Sequence, residues 1–142
     1  MSVKRILDEK GHEVETSNAD ATVNDVATVL ADKKIGAVVI LDGQEISGIL
    51  SERDIVRAVA RDGAGALQKS AGTYMTKRVV TCSGGETIND VMHKMTTGRF
   101  RHLPVVEDNR LIGIVSIGDV VKRRIAQVER EANEMRDYIA MA

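Results

Sequence analysis

Apolar residues recur along this chain with two different periods, and the switches between them mark out its elements. Val23, Val26, Ala27 and Leu30 share one face at helical spacing, and so do Ile88, Val91, Met92 and Met95. Thr22 and Thr87 precede these runs, each with an Asp three residues later, a variant of the capping box that starts a helix. Continuous apolar runs follow at 37–41 and 103–106 and read as buried strands. Asp42-Gly43 and Asp108-Asn109 are turn chemistry, and second apolar strands follow at 46–50 and 111–115. Ser51 and Ser116 then open a second helix. A further short strand is expected near Val79-Val80-Thr81, and the Gly-, Ala- and Ser-rich stretch 61–72 reads as a connector. From Val120 to Ala142 no Gly or Pro interrupts one long helix. Val121, Ile125, Val128, Ala132, Met135 and Ile139 recur along it at spacings of four and three.

The elements occur twice because the sequence does. At an offset of 65 residues, Thr22-Val23-Asn24-Asp25-Val26 falls on Thr87-Ile88-Asn89-Asp90-Val91 without a gap. Gly48-Ile49-Leu50-Ser51 falls on Gly113-Ile114-Val115-Ser116, Asp54 on Asp119, and Thr16 on Thr81. A common offset across several motifs marks an internal duplication. A unit this small buries too little surface alone, so the two copies are expected to pack together with pseudo-twofold symmetry. The cleft between them is the natural ligand site. The division reads as repeat 1 with its connector over 1–70, repeat 2 over 71–126, and the amphipathic helix over 120–142.

Composition narrows the function. Of 142 residues, 43% are hydrophobic but only 2% aromatic, so Val, Ile, Leu, Met and Ala must build the core. A net charge of −1 with scattered Lys and Arg gives no basic footprint for nucleic acid, and there are too few rings for a base-stacking platform. No apolar run approaches bilayer-spanning length, and residues 1–8 lack a signal-peptide core, so no membrane partner and a cytoplasmic location are expected. Cys82 is the sole cysteine and reads as a structural thiol. His12, His93 and His102 are not spaced with it as a metal set, and no metal is expected.

The pattern Gly-apolar-apolar-Ser-x-x-Asp-apolar, present twice after a strand pair, resembles the CBS domain, as does Arg101-His102-Leu103-Pro104-Val105-Val106. Two tandem copies resemble a Bateman module. The resemblance runs from about Leu7 to Ile125. It implies an α/β (α+β) fold of two β-α-β-β-α repeats, here followed by the long helix. It also implies a regulatory rather than catalytic role, often as a homodimer, with AMP, ADP, ATP, NAD-type or S-adenosyl ligands bound between the repeats. The regulated target protein is unidentified.

Ser-x-x-Asp suits such a ligand. The first helical turn leaves N–H groups unpaired for an anion, a Ser hydroxyl can donate to phosphate, and an Asp carboxylate can accept from both ribose hydroxyls. The same four residues also serve as a helix cap that needs no ligand; the duplication within this context favours the nucleotide role for at least one site. By the resemblance, Ser51 and Asp54 face Phe100, Arg101, His102 and Pro104 and the segment containing Thr76, Val79 and Thr81. Arg53, Arg101, His102 and Lys77 are the groups there that could hold phosphates. Ser116 and Asp119 face Val14, Thr16, Ile35, Gly36 and Ala37 in a less basic cleft. The reading is a nucleotide-binding module that signals to a separate protein. A structural dimerisation unit with empty clefts, or a nucleotide-processing enzyme, stands as the alternative; for the latter the sequence offers no nucleophile–base pair, no paired catalytic carboxylates and no metal cluster.

Overall fold

The computed structural model describes residues 1–141. In chain order the elements are α1 (Val3–Lys10), β1 (Thr16–Ser17), α2 (Val23–Lys33), β2 (Ala37–Asp42), β3 (Glu45–Ser51) and α3 (Glu52–Asp62). A 3-10 helix (Ala64–Gln68), α4 (Ala71–Tyr74), α5 (Ile88–Gly98), β4 (His102–Glu107), β5 (Arg110–Ser116) and α6 (Ile117–Met141) follow. The two helix–strand–strand–helix units expected from the periodicity are therefore present, and each begins as its cap dictates. Thr22 accepts from the Asp25 N–H at 3.0 Å, and Thr87 and Asp90 form a reciprocal capping box.

β2 and β3 pair antiparallel, as do β4 and β5, with a register shift after Ile40 in one hairpin and after Val105, its equivalent, in the other. The second hairpin turns on Asp108 and Asn109, both left-handed at φ +50° and +62°, the conformation that short side chains with local hydrogen-bonding capacity tolerate.

One expectation needs correction, and two segments are more ordered than the sequence suggests. The extra strand does not form at Val79-Val80-Thr81. Instead Cys82 makes a single parallel bridge to Val105, while in the first repeat Thr16–Ser17 pairs parallel with β2. The connector 61–72 is itself structured: it folds into the 3-10 helix and α4, with Ala66 and Ala71 fully buried. The N-terminal segment, for which no element was expected, is a helix capped by Ser2 whose Val3, Ile6 and Leu7 are fully buried. The helix opened by Ser116 starts at Ile117 and runs on without a break as the long helix; its expected last residue, Ala142, lies outside the described residues.

These two unforeseen helices cross over. α1 packs with Cys82, Ile88, Val91, Leu103, Val105 and Val115 in the core of the second repeat. α4 packs with Val26, Leu30, Val38, Ile40 and Leu50 in the core of the first. The backbone repeats the arrangement. Val3 donates to the Glu86 carbonyl, and Ala71 donates to the Ala21 carbonyl, its equivalent 65 residues earlier. Gly48 and Gly113 make room for the crossing chains: a Cβ on Gly48 would lie 2.6 Å from Met75 Sδ, and one on Gly113 2.7 Å from Leu7 Cδ2. The core is almost wholly aliphatic, as the composition requires.

Candidate functional site

The strand-to-helix corners at Ser51 and Ser116 open into two clefts of similar size, about 440 and 420 Å³. Each corner is a short-range consequence of sequence. Ser51 Oγ accepts from the Asp54 N–H at 3.2 Å, and Asp54 Oδ2 accepts from the Ser51 N–H and hydroxyl at 3.0 Å each. Ser116 and Asp119 repeat the cap, at 2.9 Å from the Ser116 N–H to Asp119 Oδ2 and 3.2 Å from the Asp119 N–H to Ser116 Oγ. The cap reading of Ser-x-x-Asp is thus fulfilled at both corners. Each box uses Oδ2.

The first cleft gathers Ser51, Arg53, Asp54, Thr76, Val79, Phe100, Arg101 and His102, all foreseen, on one lining. Thr76 reaches Asp54 because its own strand-like residue bridges Ile49 at the sheet edge; its hydroxyl donates to Asp54 Oδ1 at 3.3 Å. Three arginines not foreseen join them: Arg57, Arg78 and Arg99. Arg57 stands one helical turn beyond Arg53, a signal that the sequence did offer. Arg99 sits in a left-handed residue after α5, and Arg78 follows α4, so neither was legible from periodicity. Among the described residues none of these five arginines is ion-paired, and the cleft wall carries only Glu52 and Asp54 against them.

Three residues expected here lie off the lining. Lys77 is exposed, with Arg78 in the cleft in its place. Thr81 has its carbonyl taken by Lys94 Nζ at 2.9 Å. Pro104 is buried in β4, its carbonyl accepting from the Cys82 N–H at 3.0 Å.

The second cleft is lined by Val14, Ile35, Gly36, Ala37 and Ser116, as foreseen, but not by the exposed Thr16 or by Asp119, which lies behind Lys10. Lys10 decides its chemistry. From the end of α1 its Nζ donates to Asp119 Oδ2 at 2.6 Å and to the Ile114 carbonyl at 3.0 Å. Burial alone would push the Asp119 carboxyl up, but the Lys10 ammonium and the Ser116 N–H outweigh it and hold the group below its ordinary value. Lys33 is likewise spent on Glu15, at 2.7 Å. The two clefts are therefore alike in size and unlike in charge: one displays five unpaired arginines, while the other has paired Lys10 and Lys33 and, among the described residues, keeps Lys34 unpaired on its lining.

Gly36 and His102 line both clefts. A Cβ on Gly36 would lie 2.8 Å from His102 Nε2, so the absence of a side chain there lets the imidazole sit between the clefts. Burial holds His102 below its ordinary value, with the Glu52 carboxylate opposing. Among the described residues no cluster of three or more His, Cys, Asp or Glu side chains could hold a metal ion, and no helix is long and apolar enough to cross a membrane.

Comparison with known proteins bears on the same features. The family model described as the CBS domain matches residues 5–61 and 71–126. A mitochondrial CBS domain-containing protein of Arabidopsis thaliana is 29% identical over 97% of this chain and 71% of its own length. The crystal structure of a CBS-domain containing protein from Agrobacterium tumefaciens superposes with a TM-score of 0.85 at 50% identity, over 87% of this chain and 99% of that one. A CBS domain protein from Pyrobaculum aerophilum, solved in complex with AMP, superposes with a TM-score of 0.74 at 28% identity, over 84% of this chain and 89% of that one.

Proposed function

Because the chain belongs to the CBS-domain family, carrying two CBS domains in tandem, we propose that it is a regulatory module that binds an adenine nucleotide in the Asp54 cleft and signals to a separate protein. The observation that carries this reading is the unspent chemistry of that cleft. Among the described residues Asp54 Oδ1 is met only by the Thr76 hydroxyl at 3.3 Å, and can accept from a ribose hydroxyl. Beside it stand five unpaired arginines, whose planar donors suit phosphate oxygens. Val79, Val80 and Ile49 offer an aliphatic slot for the base. The AMP carried by the similar Pyrobaculum protein supports an adenine ligand here too. The abundance of arginine favours a ligand with more than one phosphate over an uncharged nucleoside.

The same geometry argues for binding without turnover. Ser51 Oγ is engaged in the helix cap, donating to Asp54 Oδ2 and accepting from the Asp54 N–H. Signalling then consists in the ligand favouring one arrangement of the two repeats by its differential affinity for it. The Asp119 cleft supports a second, structural reading for that half alone, since Lys10 already occupies the carboxylate that a ribose would need.

Isothermal titration of ligand-free protein with adenosine, AMP, ADP, ATP, NAD⁺ and S-adenosylmethionine tests the reading. The expected result is one tight site, with affinity rising with phosphate number and falling with added salt. Absence of binding by every one of these ligands overturns it and leaves the structural role.

A further inference from the structure

One backbone contact occurs twice at the junction of the clefts. The Glu52 N–H donates to the Gly36 carbonyl at 3.0 Å, and the Ile117 N–H donates to the Arg101 carbonyl at 2.8 Å, the same contact one repeat later. The residues that follow these carbonyls are Ala37 and His102. The first repeat thus puts a methyl group where the second puts an imidazole. His102 opens β4 opposite Ser116, and its half-buried ring packs on Gly36 of the other repeat, on the lining of both clefts.

The ring is unspent. Among the described residues neither of its nitrogens meets a hydrogen-bond partner. Burial disfavours its cationic form, and the charged groups that face it do not reverse this. Glu52 in α3 and Asp119 in α6 favour an imidazolium, whereas Lys10 in α1 and Arg101, at the entry to β4, oppose it. The remaining charge on the linings is Asp54 and the other arginines in the first cleft, and Glu13, Lys34 and the Lys33–Glu15 pair in the second. Among the described residues His102 is therefore the one side chain on either lining of a type that titrates near neutral pH. Phosphates entering among the arginines bring the negative charge that this balance lacks, and give a ring N–H an acceptor.

We infer that His102 makes nucleotide binding in the Asp54 cleft proton-linked: the ring is neutral in the ligand-free protein, takes a proton from the buffer as phosphates bind, and so tightens the cleft on a polyphosphate as pH falls. This rests on the nucleotide reading of that cleft and adds a second signal to it. By linkage, a group that gains a proton on binding raises affinity by at most tenfold for each unit of pH lost.

Calorimetry of the full chain with ATP, from about pH 8 to about pH 6, tests it beside His102→Gln. The terminal phosphate of ATP titrates in the same window, at about pH 6, and does so for both proteins, so the ratio of their affinities isolates the ring. That ratio should move in favour of the wild type by about 3-fold or more across the window. In buffers of different ionisation enthalpy the wild type should take up several tenths of a proton more per ATP than the variant. The Cε1–H resonance of His102 gives a readout on the wild type alone, valid even where the variant does not fold. Its titration midpoint should rise by about one pH unit with saturating ATP. ATP bound with equal proton uptake by both proteins, or with an unmoved His102 midpoint, overturns the linkage and leaves the nucleotide site standing. Absence of ATP binding at every pH also overturns it, together with the preference for more than one phosphate on which it rests.

Discussion

Lys10 Nζ lies 2.6 Å from Asp119 Oδ2, whereas among the described residues Asp54, the equivalent carboxylate of the first repeat, meets only neutral donors from Ser51 and Thr76. The two residues of the ion pair stand 109 positions apart, and α1 brings them together by packing on the second repeat. One contact thus makes two duplicated corners unequal.

If that pair keeps the second cleft from binding, removing the cation should release it. Lys10→Gln is expected to raise the nucleotide stoichiometry from one to two per chain in calorimetry. A stoichiometry that stays at one would show that shape, not the ion pair, closes the Asp119 cleft.

Asp54→Ala removes both a ligand acceptor and a helix cap. Nucleotide affinity should fall by about 10-fold or more, since a charge-assisted hydrogen bond contributes roughly 1.5–3 kcal/mol. Loss of the cap should cost about 1 kcal/mol of stability. Asp119→Ala loses the equivalent cap and should leave the affinity of the first site unchanged. Paired calorimetry and thermal melts separate the two effects.

Gly36→Ala places a methyl group against the His102 ring, at 2.8 Å from Nε2. The ring tip can swing, so the stability cost should sit near the low end of the ~1–3 kcal/mol typical of overpacking. Because His102 walls both clefts, nucleotide affinity should drop although no direct ligand contact of Gly36 has been removed. Unchanged affinity would mean that the ring position does not matter to the ligand.

His102 also sets a pH dependence. Its value in the folded chain is held below the ordinary 6.5 by burial, so between the two values the unfolded chain binds the extra proton. The contribution to stability is intact above 6.5 and is lost as pH falls through the folded value. His102→Gln should remove that part of the slope in denaturant midpoints measured across this window. An identical slope in the variant would assign it to other groups.

Cys82 is 4% exposed, and burial pushes its thiol up to about 12, with Glu86 adding to the rise. It should resist alkylation in native protein at neutral pH and react at once in denaturant. Rapid stoichiometric labelling of the native state, followed by mass spectrometry, would reveal an opening that uncovers the second core.

Much of this molecule is legible in its sequence. Apolar period, capping residues and turn pairs act over a few positions, so α2, α5, both hairpins and the two Ser-x-x-Asp corners could be read directly, and the duplication related them. Val3, Ile6, Leu7 and Ser2 carried a helix signal too, but one too short to stand out from a charged N-terminal segment. Tertiary structure decided the rest. Which sheet α1 and α4 cover depends on the crossing of chains between repeats, with Gly48 and Gly113 leaving room for it. Which Asp is left unspent, and that Arg78 rather than Lys77 enters the first cleft, depend on where those crossing segments end. Local sequence fixes a side chain's conformation and cap. Its charge partner is set by packing across the chain, because an ammonium and a carboxylate in a partly desolvated cleft pair by distance in space, whatever their separation in sequence.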